Sequence, residues 1–181
     1  MPTTFAPPPL EDALPAGSFE ATPTLDGIPT ITVVPDTLVG VMTLLRDHPA
    51  LQFNVCLDVT AADHHPRTPR FDVVYHLVAT DVPYTLRVRV RLEGSHPELP
   101  TVSGVWPSAN WQEREVWDLF GIVFTGHPTL ERLLTPDDWE GHPLRKDYPV
   151  QVKLPVRTYE PLQLTEEEFR ANVEADRRVR R

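Results

Sequence analysis

Cysteine is almost absent: Cys56 stands alone in 181 residues. A single thiol can neither close an internal disulfide nor supply the several thiolates that a structural zinc site or an iron–sulfur cluster requires, so any such cluster belongs to another chain. No apolar run approaches the ~18 residues of a membrane-spanning helix. The start, Met1-Pro2-Thr3-Thr4 followed by Pro7-Pro8-Pro9, lacks the basic and apolar stretches of a secretion signal. Basic charge is scarce as well, with 17 Lys and Arg against 26 Asp and Glu and a net charge of −9. Nucleic-acid binding draws its affinity from clustered cations, so this balance argues against DNA and RNA. The sequence also has no Gly-x-Gly-x-x-Gly, no phosphate-binding Gly-Lys-Ser/Thr loop, no Gly-x-Ser-x-Gly elbow and no His-Glu-x-x-His, which leaves nucleotide-binding, serine-hydrolase and zinc-hydrolase chemistry without local support. The expectation is a chain that stays in the cytosol.

Proline is abundant instead, 21 residues of it, and it punctuates the chain. Residues 1–28 read as a Pro-rich flexible tail. Residues 29–150 read as one α+β domain, a mostly antiparallel or mixed sheet of about four to five strands packed by a few helices. Residues 151–181 read as an extended arm ending in a helix.

Within the domain, Thr30 to Val34 suits a short strand. Asp36 is placed to cap a helix whose stripe is Leu38, Val41, Met42 and Leu45. Leu51 to Thr60 alternates so that Leu51, Phe53, Val55, Leu57 and Val59 face inward and Cys56 faces the polar side. Phe71 to Ala79 and Tyr84 to Leu92 alternate more cleanly and pair as a hairpin. Arg87, Arg89 and Arg91 face outward from the second strand, toward solvent, neighbouring acids or an acidic partner.

The stretch Glu113 to Phe120 carries four ionised side chains and two aromatics. At ~100° per residue, Arg114, Glu115 and Asp118 share a helical face beside Trp111, and Val116, Leu119 and Phe120 share the opposite one. The apolar face is expected to dock on the core and the charged face to meet a partner. On that reading, Arg114→Ala combined with Asp118→Ala leaves the isolated domain folded. Asn110 and Glu113 have capping-box spacing at the helix start, Ile122 to Phe124 suits a strand, and Thr135-Pro136 suits the entry of a one-turn helix containing Trp139. Thr165 with Glu168 forms a second capping box, with acids at the positive helix end and arginines at the negative one.

Five of the seven histidines, His48, His65, His96, His127 and His142, precede proline and so mark turns. His127, His142, Asp137 and Asp138 are the one combination near enough in sequence to suggest a metal hydrolase. Glu113 with Glu115 or Asp118 could pair as acid and base, although Arg114 and the helical spacing fit a structural ion network better. Such a network governs docking more than stability.

Glu113-Arg114-Glu115-x-x-Asp118-Leu119-Phe120-Gly121, then His127-Pro128, then Glu140-Gly141-His142-Pro143-Leu144-Arg145-Lys146-Asp147-Tyr148-Pro149, resembles the C subunit, or thirty-kilodalton subunit, of proton-pumping NADH:quinone oxidoreductase, respiratory complex I. The resemblance covers about residues 30–150. It departs at Glu131, where the family usually has a basic residue, before the expected Arg132. The resemblance implies a hydrophilic-arm subunit on the cytoplasmic side of the cell membrane, associated with it through the complex. No cofactor, metal or catalytic residue is implied on this chain; FMN, iron–sulfur clusters and quinone lie in partner subunits. The implied neighbour is the D subunit that helps build the quinone pocket. Carried over by position, Glu113, Arg114, Glu115, Asp118, His127, His142, Arg145, Lys146, Asp147 and Tyr148 form the fold-fixing and partner-facing surface. The motifs are shared with equivalent subunits of membrane-bound hydrogenases and related dehydrogenases, which remain an alternative.

Overall fold

A computed structural model describes residues 10–81, 84–94, 96–149 and 165–179. The chain divides into two compact units, Met1–Tyr148 and Pro149–Arg181. The architecture of the first is α+β. Its elements in order are α1 (Leu10–Ala13), β1 (Glu20–Thr22), β2 (Thr30–Val33), a 3-10 turn (Pro35–Thr37) leading into α2 (Leu38–Asp47), β3 (Val55–Asp63), β4 (Phe71–Ala79), β5 (Tyr84–Leu92), β6 (Glu98–Pro100), α3 (Ala109–Phe120) and β7 (Val123–Thr125).

Five strands form one mixed sheet in the order β1-β2-β5-β4-β3, antiparallel except for the parallel pair β2 and β5. β6 and β7 form a separate parallel pair. The β4–β5 hairpin follows from strict alternation: Phe71, Val73, Tyr75 and Leu77 on one strand and Leu86, Val88, Val90 and Leu92 on the other are buried, as period-two burial requires. Their opposite faces carry His76 opposite Arg87 and Asp72 opposite Arg91. Arg87 bonds Asp26 (2.7 Å) and the His76 ring (3.1 Å), so neighbouring groups occupy this strand arginine. In α2 the stripe Leu38, Val41, Met42 and Leu45 is buried as expected, but Asp36 lies in the 3-10 turn and no side chain caps the helix.

Three local expectations give way. β3 starts at Val55, and its register shifts between Cys56 and Asp58. The bulge turns Cys56 inward and leaves Val55 and Leu57 exposed, because one extra residue exchanges the faces of the strand residues before it; Leu51 and Phe53, ahead of the strand, are buried as expected. The stretch read as a tail already carries α1 and β1 within residues 10–28, with Leu14 buried; residues 1–9 lie outside the described ones. Residues 136–139 make a turn closed by the Trp139 amide on the Pro136 carbonyl (3.0 Å), not a helical turn.

In the second unit, α4 (Glu166–Val179) begins with the expected reciprocal cap: the Thr165 amide donates to Glu168 Oε2 (2.9 Å) and the Glu168 amide to Thr165 Oγ1 (3.3 Å). The extended stretch expected between residues 150 and 164 lies outside the described residues. No helix among the described residues is long and apolar enough to cross a membrane.

Candidate functional site

The two sequence motifs meet at the end of α3, and they meet within this chain. An α-helix leaves its last four carbonyls without internal partners, and here the segment 142–145 supplies most of the donors. Gly121 ends the helix in the left-handed region (φ 71°, ψ 28°), its amide bonded to the Trp117 carbonyl (2.8 Å). His142 Nδ1 lies 2.9 Å from the Asp118 carbonyl, an acceptor, so that nitrogen carries the proton. The Leu144 amide donates to the Leu119 carbonyl (3.0 Å). Arg145 Nε donates to the Phe120 carbonyl (2.5 Å) and Nη2 to that of Gly121 (3.2 Å). Burial first, with Arg145 and Arg132 nearby, lowers the affinity of the His142 ring for a second proton.

Side chains of the same turn hold the preceding loop. The Asp118 carboxylate is fully buried. Its Oδ2 accepts the amides of Leu133, Leu134 and Thr135 (3.0, 2.8 and 2.9 Å), and its Oδ1 accepts Arg132 Nη1 (2.8 Å) and the Thr135 hydroxyl. Burial pushes this carboxyl up, but the Thr135 hydroxyl and the three amides together outweigh it and hold the acid well below the usual carboxylate range. Arg132 continues to the carbonyls of Trp139 (2.7 Å) and Gly141 (3.3 Å). Arg114 donates to the carbonyls of Glu131 (3.1 Å) and Arg132 (3.0 Å) and lies over the Trp111 ring at 4.9 Å. Glu131 thus meets Arg114 through its backbone, a contact that does not depend on the side chain at that position.

The expected charged face is therefore corrected. Asp118 and Glu113 are buried with Val116 and Phe120, Arg114 is half-buried, and Glu115 is exposed. Helical periodicity places side chains correctly but assigns charge to the outside, and two buried acids that accept loop amides and threonine hydroxyls break that rule. The Asn110–Glu113 cap is also replaced: α3 starts at Ala109, no side chain caps it, and Glu113 reaches instead to the Val102 amide (2.7 Å) and the Thr101 hydroxyl.

A second clamp holds the end of the motif. Arg70 pairs with buried Asp63 (2.8 Å) and with Asp147 (2.7 Å), while the Lys146 amide donates to Asp63 Oδ2 (2.8 Å). Burial opposes the charge on Asp63, but Arg70 and the Lys146 and His65 amides keep its carboxyl far below the ordinary range. The Tyr148 ring stacks on Trp139 at 6.4 Å, and its hydroxyl donates to the Glu140 carbonyl (3.2 Å). The Lys146 side chain is exposed. His127 is bound at both ring nitrogens, with Nδ1 accepting the Thr129 amide (3.1 Å) and Nε2 facing the Asn110 carbonyl (3.1 Å).

Sequence reasoning missed Arg70, Asp63, Thr101 and Thr135. The only mark of Asp63 and Arg70 was the hairpin end Asp63-His64-His65-Pro66-Arg67-Thr68-Pro69-Arg70, which reads as a polar loop; Thr101 had none, and Thr135 read only as a helix entry. Among the described residues no three His, Cys, Asp or Glu gather as metal ligands. His127 and His142 bond the carbonyls of Asn110 and Asp118, near the two ends of α3, and Asp137 and Asp138 are exposed.

Comparison with known proteins identifies the family. The family model described as "Respiratory-chain NADH dehydrogenase, 30 Kd subunit" matches residues 31–153. The C 2 subunit of the NADH-quinone oxidoreductase of Rhizobium etli is 46% identical over 128 residues, 71% of this chain and 68% of that protein. The C/D subunit of the NADH-quinone oxidoreductase of Acidiphilium cryptum is 44% identical over 165 residues, covering 87% of this chain and 27% of that longer one. A chain in the solved structure of the membrane-bound sulfane sulfur reductase, an archaeal respiratory membrane complex, superimposes with a TM-score of 0.65 at 25% identity over 86% of this chain and 94% of that one. This chain belongs to the family of the 30 Kd subunit of respiratory-chain NADH dehydrogenase, the C subunit of NADH-quinone oxidoreductase.

Proposed function

We propose that the chain is a non-catalytic brace in the hydrophilic arm of an NADH:quinone oxidoreductase, peripheral on the cytoplasmic side of the membrane. In this role it grips the D subunit while electrons pass from NADH through FMN and iron–sulfur clusters in other subunits to quinone, coupled to proton translocation. The observation that carries the reading is the lock around α3. Asp118, Arg132, His142, Arg145 and Arg70 spend their hydrogen bonds inside the chain, a use suited to holding a shape rather than turning over a substrate. What they hold is an irregular segment that presents Leu133, Leu134, Trp139 and Leu144 to the outside, with Glu115 and Lys146 exposed as charged contacts. Exposed apolar groups on a pre-ordered backbone suit a protein partner. The Acidiphilium relative, in which C and D are named together on one chain, supports D as that partner.

The equivalent subunit of another membrane-bound reductase or hydrogenase is a second reading, drawn from the sulfane sulfur reductase likeness; its 25% identity against 46% for the quinone oxidoreductase relative favours the first. The test is charge reversal at exposed sites. Glu115→Arg with Lys146→Glu lowers co-purification of the D subunit and NADH:quinone activity of membranes while leaving the chain's own unfolding curve unchanged. Unchanged co-purification rejects the proposed face.

A further inference from the structure

Glu113 is buried, and among the described residues no Lys or Arg pairs with it. Its carboxyl is held by the Val102 amide and the Thr101 hydroxyl, and a buried ion so poorly matched is costly. The nearest imidazole, His127, has Nε2 3.9 Å away. Nδ1 of that ring already accepts the Thr129 amide (3.1 Å), which fixes the neutral form with its proton on Nε2, where it donates to the Asn110 carbonyl (3.1 Å). From β3 comes Cys56, whose thiol is pushed up to about 12 by burial, then by Glu113 and Asp58. Asp58 itself faces His76 at 3.7 Å. From β4 comes Tyr75, fully buried, whose phenol oxygen has no hydrogen-bond partner among the described residues; burial first, then Glu113, holds its proton more tightly than usual. On α3 itself, Arg114 is turned to the carbonyls of residues 131 and 132, and Gln112 to the Leu57 carbonyl.

The loop after β6 adds a route outward. Thr101 Oγ1 accepts the Ser103 amide (3.1 Å) and lies 2.8 Å from the Ser103 hydroxyl, and Ser103 is half-buried at the surface. With Glu113 protonated, its hydroxyl donates to Thr101, which donates to Ser103. With Glu113 ionised, the same hydroxyls reverse: Ser103 donates to Thr101 and Thr101 to the carboxylate. Both states are satisfied without moving a heavy atom.

We propose that Glu113 is a proton-binding site, exchanging its proton with solvent through the Thr101 and Ser103 hydroxyls. The proton leaves Glu113 for Thr101 Oγ1 as the Thr101 proton passes to Ser103 and the Ser103 proton to water; uptake runs in reverse. Burial, stronger than the Thr101 and Val102 bonds that oppose it, places the carboxyl at about 7 against an ordinary 4.5. A group raised in the folded state supports folding fully below the unfolded value and loses that support as pH rises through the folded one. Folding therefore weakens between about pH 4.5 and 7, by roughly 300-fold in the equilibrium constant.

The full chain with carboxyl-labelled glutamate provides the test. By NMR, the Glu113 resonance titrates near neutrality, apart from the exposed glutamates. Glu113→Gln removes that resonance and flattens the loss of stability between pH 5 and 7. A Glu113 midpoint in the ordinary carboxylate range overturns the proposal even if Glu113→Gln does not fold.

Discussion

Asp118→Ala is the severest single test of the lock around α3. The carboxylate is fully buried and receives three amides, a hydroxyl and a guanidinium. Truncation removes every one of these acceptor sites. Arg132 keeps the carbonyls of Trp139 and Gly141, so its charge is not stranded, but three loop amides lose their partner in a half-buried place. Breaking a buried charged network costs about 3–5 kcal/mol, a fifth or more of the roughly 5–15 kcal/mol that holds a typical domain. The melting point should fall by roughly 6–20 °C, at about 2–4 °C per kcal/mol for a chain of this size. Urea unfolding of the full chain, followed by tryptophan fluorescence, should show a lower midpoint with an unchanged slope. Asp118→Asn should recover only part of the loss, because one of its two positions becomes a donor. The acid response gives an independent check. Asp118 is held below its ordinary value of 3.8, so its support is present above that value and disappears as pH falls through the folded one. The gap between wild type and Asp118→Asn should therefore close in strong acid. A cost of Asp118→Ala within about 0.5 kcal/mol, the range of an ordinary surface change, would falsify the argument. The outward-facing reading of this helix expects the Arg114→Ala, Asp118→Ala double variant to remain folded; burial of Asp118 reverses that expectation.

Gly121→Ala should cost at least about 2–3 kcal/mol by thermal unfolding, since a residue with φ of +71° would place a Cβ 2.5 Å from His142 Nε2 and 2.8 Å from Arg145 Nη2; a shift of a few tenths would mean that the 142–145 segment is not seated there. Arg70→Ala should free the end of the motif, raising amide exchange at Lys146 and Asp147 more than in β4 or β5, because Arg70 joins Asp63 to Asp147; uniform exchange changes would contradict it. Arg114→Ala should unfold at nearly the wild-type midpoint and yet show faster exchange at residues 131–135, and no local change would deny its role as a tie to that loop.

Where structure is local, the sequence announces it. β4 and β5 show their faces by alternation, α2 by the stripe from Leu38 to Leu45, and α4 by the cap at Thr165 and Glu168. Cys56 defeats the same reasoning because the bulge beside it has no residue signature. β1 is three residues long, too short for periodicity to register. The site was half legible: its residues stand in the motifs, but the inward direction of Glu113 and Asp118 depends on amides 11 to 17 positions away. Those amides lie in loops whose path no periodic pattern encodes. Arg70 and Asp63 were invisible for the same reason, since they meet Asp147 and Lys146 across more than 75 residues.

The central claim is that this chain works by gripping the neighbours that hold the redox groups. The most direct measurement is affinity capture of the tagged full chain from native membranes, with quantification of the recovered subunits and of flavin and iron per chain. The account predicts stoichiometric recovery of the D subunit in wild type, sharp loss of it in Asp118→Ala, and neither flavin nor iron on the chain once it is separated. A chain that emerges alone, or that keeps a stoichiometric prosthetic group after separation, contradicts it.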